Sequence, residues 1–261
     1  MIATDLDGTF LQGGDSPHPE NIQAVKECQK AGIKVCACTG RSFNRAKDII
    51  AQAGFDQFCV VNNGASIVDW RTGQHRYRNR FEPESIGKIV DVMMSYHASF
   101  GLTGFETLYM LEGYVEAWSQ ALDEDMRRQL NGHIYRTKEE LVEACAEDVE
   151  RMNLNLPFLE TYADLSEKLA GVAEVEITAS GPHSLEITHM DGDKSQTLMV
   201  LADLQCKARK CNGLWRQLQR YVYAGMGWHW RGNGQCGRTL KGCGGHRHGY
   251  QQKRRRCAGD L

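Results

Sequence analysis

The 261-residue chain opens with MIATDLDGTF, which puts two carboxylates, Asp5 and Asp7, two residues apart behind a short apolar run. At the end of a β-strand, residues at that spacing project to the same side. Such a pair can share one divalent cation and one phosphoryl group. One carboxylate can attack phosphorus while the other manages the proton of the departing oxygen and then of the hydrolytic water. Gly8 allows the tight turn that follows. Two blander readings compete, a surface turn and a calcium loop. The calcium-loop spacing fails, because no third ligand and no terminal Glu follow at the required offsets.

The elements that must position this pair can be read outward from it. Residues 1–6 form a short apolar strand running into a loop. Residues 19–31 place Ile22, Val25 and Cys28 at helical spacing, with Pro19 at the start and Gly32 after the end. IKVCACTG reads as a strand, residues 43–53 as a helix, and FCVVNNGA as another apolar strand closing in a turn. Strands alternating with helices predict a parallel sheet covered by helices, with ligands beyond the carboxyl ends of the strands. The three polar motifs DLDGT, TGRS and NNGA fall at those ends. From Pro83 the rhythm changes: a helix over 83–95, short alternating segments such as LYMLEGYVEAW, and helices near 120–130 and over 137–151. Segments near 153–160 and 173–189 alternate with period two and read as antiparallel strands. The expected fold class is α/β, a parallel-sheet Rossmann-like core with an inserted α+β cap domain.

The DLDGT pattern resembles the first motif of the haloacid dehalogenase superfamily. The resemblance covers about residues 1–203 and implies the remaining assignments. The second motif of that family, a Thr or Ser at a strand end, matches Thr39 in VCACTGRS, whose hydroxyl and neighbouring N–H would bind a phosphate oxygen with Gly40. Alone, Thr-Gly-Arg describes a capped helix start equally well. The third motif, a Lys opening a helix, matches Lys194, which would offset the charge between Asp5 and phosphate. A Lys in a polar loop is otherwise a solvated charge. Asn63-Gly64 and the insertion of about 100 residues look like the Cof-type branch, which carries a large α/β cap and dephosphorylates sugar phosphates and similar metabolites. Asn63 joins the substrate-binding candidates.

The resemblance further implies Asp5 as nucleophile, Asp7 as general acid/base, and Mg²⁺ held by Asp5 and Asp7, with a small phosphate ester as partner. Arg41 reads equally as a residue behind the site or as an exposed Arg at a helix start. Cys36 and Cys38 read as packing thiols, and His183 and His189 carry no assignment. The implied domains are a core over 1–82 and 189–203 and a cap over 83–188.

Composition adds bounds and one anomaly. Hydrophobic content is 41% and charged content 25%, ordinary for a globular chain. No apolar run approaches the roughly 18–20 residues of a membrane span, and no export signal precedes the first strand. A cytoplasmic location with reduced cysteines is the expectation. Residues 1–203 carry 18 Lys+Arg against 32 Asp+Glu, whereas residues 204–261 carry 13 against Asp260 alone. That tail holds 5 of the 10 Cys, 3 of the 5 Trp and 11 of the 27 Gly.

The tail also lacks the family's last motif, Gly-Asp-x-x-Asn-Asp, whose carboxylates complete the metal site. Permissible codons for Trp215–Arg220 (TGG CGA CAG CTA CAA CGA), followed by TAT for Tyr221, read one base later give Gly-Asp-Ser-Tyr-Asn-Asp. The same shift over Tyr221–Cys236 can give MYMLEWAGIGVAMGNA, and over residues 241–255 KAAADIVTDTNKNDG. We therefore expect a frameshift near residue 203, which makes 204–261 a non-family tail; the first 203 residues imply an active phosphatase, and the altered tail offers a catalytically impaired one as the alternative. At face value the tail offers a zinc knuckle from Cys206, Cys211, Cys236, Cys243, His246 and His248, with the basic run at 253–256 binding nucleic acid. Its Cys spacings miss the tight C-x2-C of strong zinc sites, and nucleic acid is not the expected partner.

Overall fold

In a computed structural model, the chain is described over residues 1–11, 13–115, 131–156, 161–179, 183–207, 229–231 and 235–237. It divides into two units, Met1–Val222 and Tyr223–Leu261. In the second, the strands β12 (His229–Arg231) and β13 (Gln235–Gly237) pair antiparallel. The helix expected near 120–130 and most of the frame-shifted stretch lie outside the described residues, as do Cys211, Cys243, His246 and His248.

The first unit begins with β1 (Ile2–Thr4), α1 (Pro19–Lys30), β2 (Val35–Ala37), α2 (Phe43–Ala53) and β3 (Phe58–Val61). β1 pairs parallel with β2 in the register Ile2↔Val35, and a parallel bridge between Cys38 and Val60 carries the order on to β3. Alternation along β2 sorts its side chains to two faces. Val35 and Ala37 pack with Phe43, Ala46 and Ile50 of α2, while Cys36 and Cys38 pack with Val60, Ile67, Leu198 and Leu201. Burial pushes the Cys38 thiol up to about 12, so it is a neutral packing group.

The chain then adds an antiparallel hairpin to the expected parallel core. β4 (Ser66–Asp69) and β5 (Gln74–Arg78) run antiparallel after β3 as a hairpin, turning at Gly73, whose φ is +72°. Its turn is closed by hydrogen bonds from the Thr72 and Gly73 N–H groups to the Asp69 carbonyl.

The inserted region follows as α3 (Pro83–Ser95), β6 (Ser99–Thr103), β7 (Leu108–Leu111), β8 (Gly132–Tyr135), α4 (Lys138–Cys145), β9 (Arg151–Asn155), α5 (Tyr162–Val172), β10 (Val175–Ala179) and β11 (Ser184–His189). Its six strands form one sheet ordered β10-β11-β9-β6-β7-β8, over an apolar cluster including Ile86, Met93, Phe100, Leu141, Met152 and Leu165. The helix expected over 137–151 is corrected to Lys138–Cys145. Residues 151–155 are needed as the strand between β11 and β6. Asp148 and the fully buried Glu150 are drawn to the Arg78 guanidinium of β5. The last described element of this unit, α6 (Lys194–Lys207), returns to the first sheet and covers the Cys36/Cys38 face.

Candidate active site

The carboxyl ends of β1, β2 and β3 meet the start of α6. Asp5 leaves β1 into a turn held by hydrogen bonds from Phe10 N–H to the Asp5 carbonyl and from Leu11 N–H to the Leu6 carbonyl. Leu6, Phe10 and Leu11 are buried beneath it, and Gly8 supplies the left-handed φ of +68°. Buried anchors alternating with the half-buried Asp5 and the exposed Asp7 thus set the carboxylates at the rim. One Asp5 oxygen accepts from Leu6 N–H at 2.8 Å, and the other faces Lys194 Nζ at 3.3 Å.

That contact spans 189 residues of sequence. Asp193 precedes α6 and accepts from the Ser195 N–H and hydroxyl at 2.5 and 2.6 Å. Thr197 donates to the Gly64 carbonyl at 2.5 Å, tying the helix start to the β3 turn. Gly64 is required there: a Cβ would lie 2.5 Å from both Asp193 C and Lys194 N. The Asn-Gly pair of the sequence is therefore a close-approach site for the lysine helix.

The remaining sequence candidates form a second knot. Thr39 is fully buried; its N–H donates to the Val60 carbonyl, and its hydroxyl accepts from Arg41 N–H at 3.1 Å. Asn63 N–H donates to the Thr39 carbonyl at 3.1 Å, and Asn62 N–H to the Arg41 carbonyl at 2.9 Å. Asn63, at φ +59°, turns its side-chain amide to Glu186 of β11. Gly40 packs against that amide so tightly that a Cβ would sit 2.5 Å from Asn63 Oδ1. Its carbonyl accepts from Arg151 of β9, which also pairs with Glu186 at 2.9 Å. Strands of the inserted sheet thus grip the loop that follows β2.

Asp7 turns elsewhere. Both its oxygens accept from Arg41, at 2.9 Å from Nε and 2.6 Å from Nη2, while Arg41 Nη1 donates to Asp15 at 2.5 Å. Arg41 is only 9% exposed, which removes the exposed helix-start reading. This fork is the strongest polar feature of the site that sequence reasoning missed, together with Asp15, Arg151 and Glu186. The hydrogen bond from Arg41 holds the Asp7 carboxyl below its ordinary value, against the opposing effect of partial burial.

The fit to a divalent cation is incomplete. Asp5 and Asp7 offer carboxylates, but Asp7 is engaged by a guanidinium. No group of three His, Cys, Asp or Glu side chains suited to a metal occurs among the described residues. Two carboxylates fall short of the oxygen-rich shell that hard cations take.

Comparisons with known proteins agree with this architecture. The sequence is 26% identical over 221 residues to a 5-amino-6-(5-phospho-D-ribitylamino)uracil phosphatase of Bacillus subtilis, covering 78% of this chain and 76% of that protein. Its fold is similar to that of a haloacid dehalogenase-like hydrolase from B. subtilis, with TM-score 0.62, 21% identity and 78% of each chain covered. It is also similar to that of a subclass IIB sugar phosphatase of the same superfamily, with TM-score 0.59, 14% identity and coverage of 85% and 84%. A sequence profile of the haloacid dehalogenase-like hydrolases matches residues 2–211, and the chain belongs to that family.

Proposed function

We propose that this chain is, by design of its site, a phosphomonoester hydrolase for small phosphorylated metabolites, sugar phosphates among them. The observation that carries this reading is the Asp5–Lys194 pair at 3.3 Å on the rim where three strand ends converge. The phosphatase names of its relatives support it. An Asp5 oxygen attacks phosphorus, the P–O bond to the alcohol breaks, and an aspartyl-phosphate forms. Water then attacks the same phosphorus, releasing inorganic phosphate and restoring the carboxylate. Lys194 offsets the negative charge on the phosphoryl oxygens. Thr39, Gly40 and Asn63 shape the phosphate-binding loops.

Asp7 is the proton carrier in this scheme. Forked by Arg41 it is an unprotonated carboxylate, the form needed to take the proton of the attacking water. Protonating the leaving alcohol first requires Arg41 to let go. The division into a core over 1–82 and 189–203 and a substrate-choosing cap over 83–188 belongs to the same reading, as does a cytoplasmic location. No described helix is long and apolar enough to cross a membrane.

Mg²⁺ is the cation the family resemblance calls for, yet the described residues supply only Asp5 and Asp7 for it. That shortfall favours a second reading, an impaired enzyme whose last metal-binding motif was lost to a frameshift near residue 203. Phosphate release from a panel of small esters, with and without Mg²⁺, should be measured on this chain and on the frame-restored chain. The restored chain is expected to turn over and its Asp5→Asn variant to be inactive. A folded restored chain that releases no phosphate, or an active Asp5→Asn variant, would refute the hydrolase reading. DNA across codons 200–215 with no base lost or gained relative to close relatives would remove the frame reading.

A further inference from the structure

Next along the chain from Thr39 and Gly40, a cleft lies between the start of α2 and the inserted sheet, lined by Ser42, Arg45, Thr103, Glu106, Arg151 and Asn153 among others. Of its two guanidiniums, that of Arg45 is poorly explained by folding. Arg45 is exposed in the first turn of α2, where the helix dipole disfavours a cation. That turn contains no acidic residue, and Arg45 has no ion pair among the described residues. Arg151 stands opposite on β9. Its Nη1 is engaged by Gly40 and Glu186, but its Nε is buried with no hydrogen-bond partner. Burial lowers the Arg151 pKa, and the nearby charge of Arg45 lowers it further, although Glu186 opposes both. The acid in the lining, Glu106, is drawn toward Lys47 at 3.9 Å. Asn153 and Thr103 hydrogen-bond each other at 2.9 Å and keep the wall polar. Two like charges facing one polar cleft repel until an anion enters.

We propose that Arg45 and Arg151 form a second anion subsite, so that the preferred substrate is a phosphate monoester bearing a further anionic group, a carboxylate or a second phosphate, away from the scissile one. This rests on the hydrolase reading and names its substrate class. The distal anion takes the exposed guanidinium of Arg45 and the positive charge of Arg151, which lines the same cleft, while the scissile phosphate lies at Asp5 and Lys194.

Calorimetric dissociation constants on the full chain, in chelator, test it with matched probes: 3-phosphoglycerate against glycerol 3-phosphate, and fructose 1,6-bisphosphate against fructose 6-phosphate. Within at least one pair the doubly anionic probe should bind about tenfold tighter or more, as charge-assisted hydrogen bonds allow. The pair that shows the preference identifies carboxylate or phosphate as the distal group. Arg45→Ala and Arg45→Gln, each checked for native circular dichroism, should bring that ratio within about twofold and leave glycerol 3-phosphate affinity unchanged. Equal affinities within both pairs, or a ratio that survives both variants, would overturn the subsite. So would an equal loss for glycerol 3-phosphate, which would assign Arg45 to the scissile phosphate. If no ester binds to this chain or to the frame-restored chain, the hydrolase reading falls with it; if monoesters bind without preference, only the subsite falls.

Discussion

Gly64→Ala should uncouple Lys194 from Asp5. A Cβ at Gly64 would sit 2.5 Å from Lys194 N and Asp193 C, where ordinary contact begins near 3.4 Å, so about 0.9 Å of separation must be found. The obstructing atoms are backbone at the start of α6, and Thr197 ties that helix to the Gly64 carbonyl, so no flexible side chain can absorb the shift. The φ of +108° adds strain of about 1–3 kcal/mol for any residue with a Cβ. Overpacking costs a further ~1–3 kcal/mol, giving a total near 3 kcal/mol or more. Gly54→Ala is the control: its φ is +70° but nothing lies within 4 Å, so only left-handed strain of about 1–2 kcal/mol applies. Urea denaturation of the two variants, with phosphate-ester affinity measured in parallel, separates strain from close approach. Gly64→Ala should lose about tenfold in affinity, the worth of one hydrogen bond to a charged group, while Gly54→Ala loses none. Equal destabilisation of the two variants, or undiminished affinity in Gly64→Ala, would refute the reasoning.

Arg41→Gln should raise the Asp7 carboxyl toward its ordinary value of 3.8, because the hydrogen bond that lowers it is gone. Since the folded-state value is the depressed one, the stabilisation is present above the unfolded pKa and vanishes as pH falls through the folded one. At 59% side-chain exposure the pair contributes no more than about 1 kcal/mol; an NMR titration of the Asp7 carboxyl that does not move upward would contradict this. Glu150→Gln should cost about 3 kcal/mol in chemical denaturation, because Glu150 is fully buried and pairs with Arg78 and Asn62 at 2.7 Å each. A loss below about 1 kcal/mol would show that the buried charge does not anchor the inserted sheet. Mg²⁺ titrated against thermal stability should stabilise the frame-restored chain at concentrations at least about tenfold lower than this chain, whose described residues hold too few carboxylates. Equal midpoints would show that the altered tail costs no metal ligand.

Local chemistry made much of this fold legible. The α2 boundaries follow from Ser42 before the apolar stripe and Gly54 after it, in the left-handed conformation at φ +70°. Pro83 marks the start of α3 in the same way. The hairpin of β4 and β5 is legible only at its turn, Arg71-Thr72-Gly73, because Ser66–Asp69 is buried throughout and shows no alternation to mark a strand. The helix expected through 151 stops at Cys145 for a reason no local window contains. Asp148 and Glu150 are spent on Arg78, some 70 residues earlier. The same limit governs the site. Asp5 and Asp7 stood out by spacing, but spacing cannot say that Lys194 would reach the first and Arg41 the second, nor that Arg151 would grip Gly40 from 111 residues away.

Asp5, the proposed nucleophile, hangs from a strand only three residues long, and among the described residues that strand has one neighbour. Ile2 N–H to Lys34 and Cys38 N–H to Thr4 are two of the few bonds holding it, and Ile2 itself is 42% exposed. Fraying at this rim therefore carries the reactive oxygen away from its counter-charge, so local opening and loss of reactivity are one event. Amide exchange at residues 2–4 should track the reactivity of Asp5 more closely than global unfolding does.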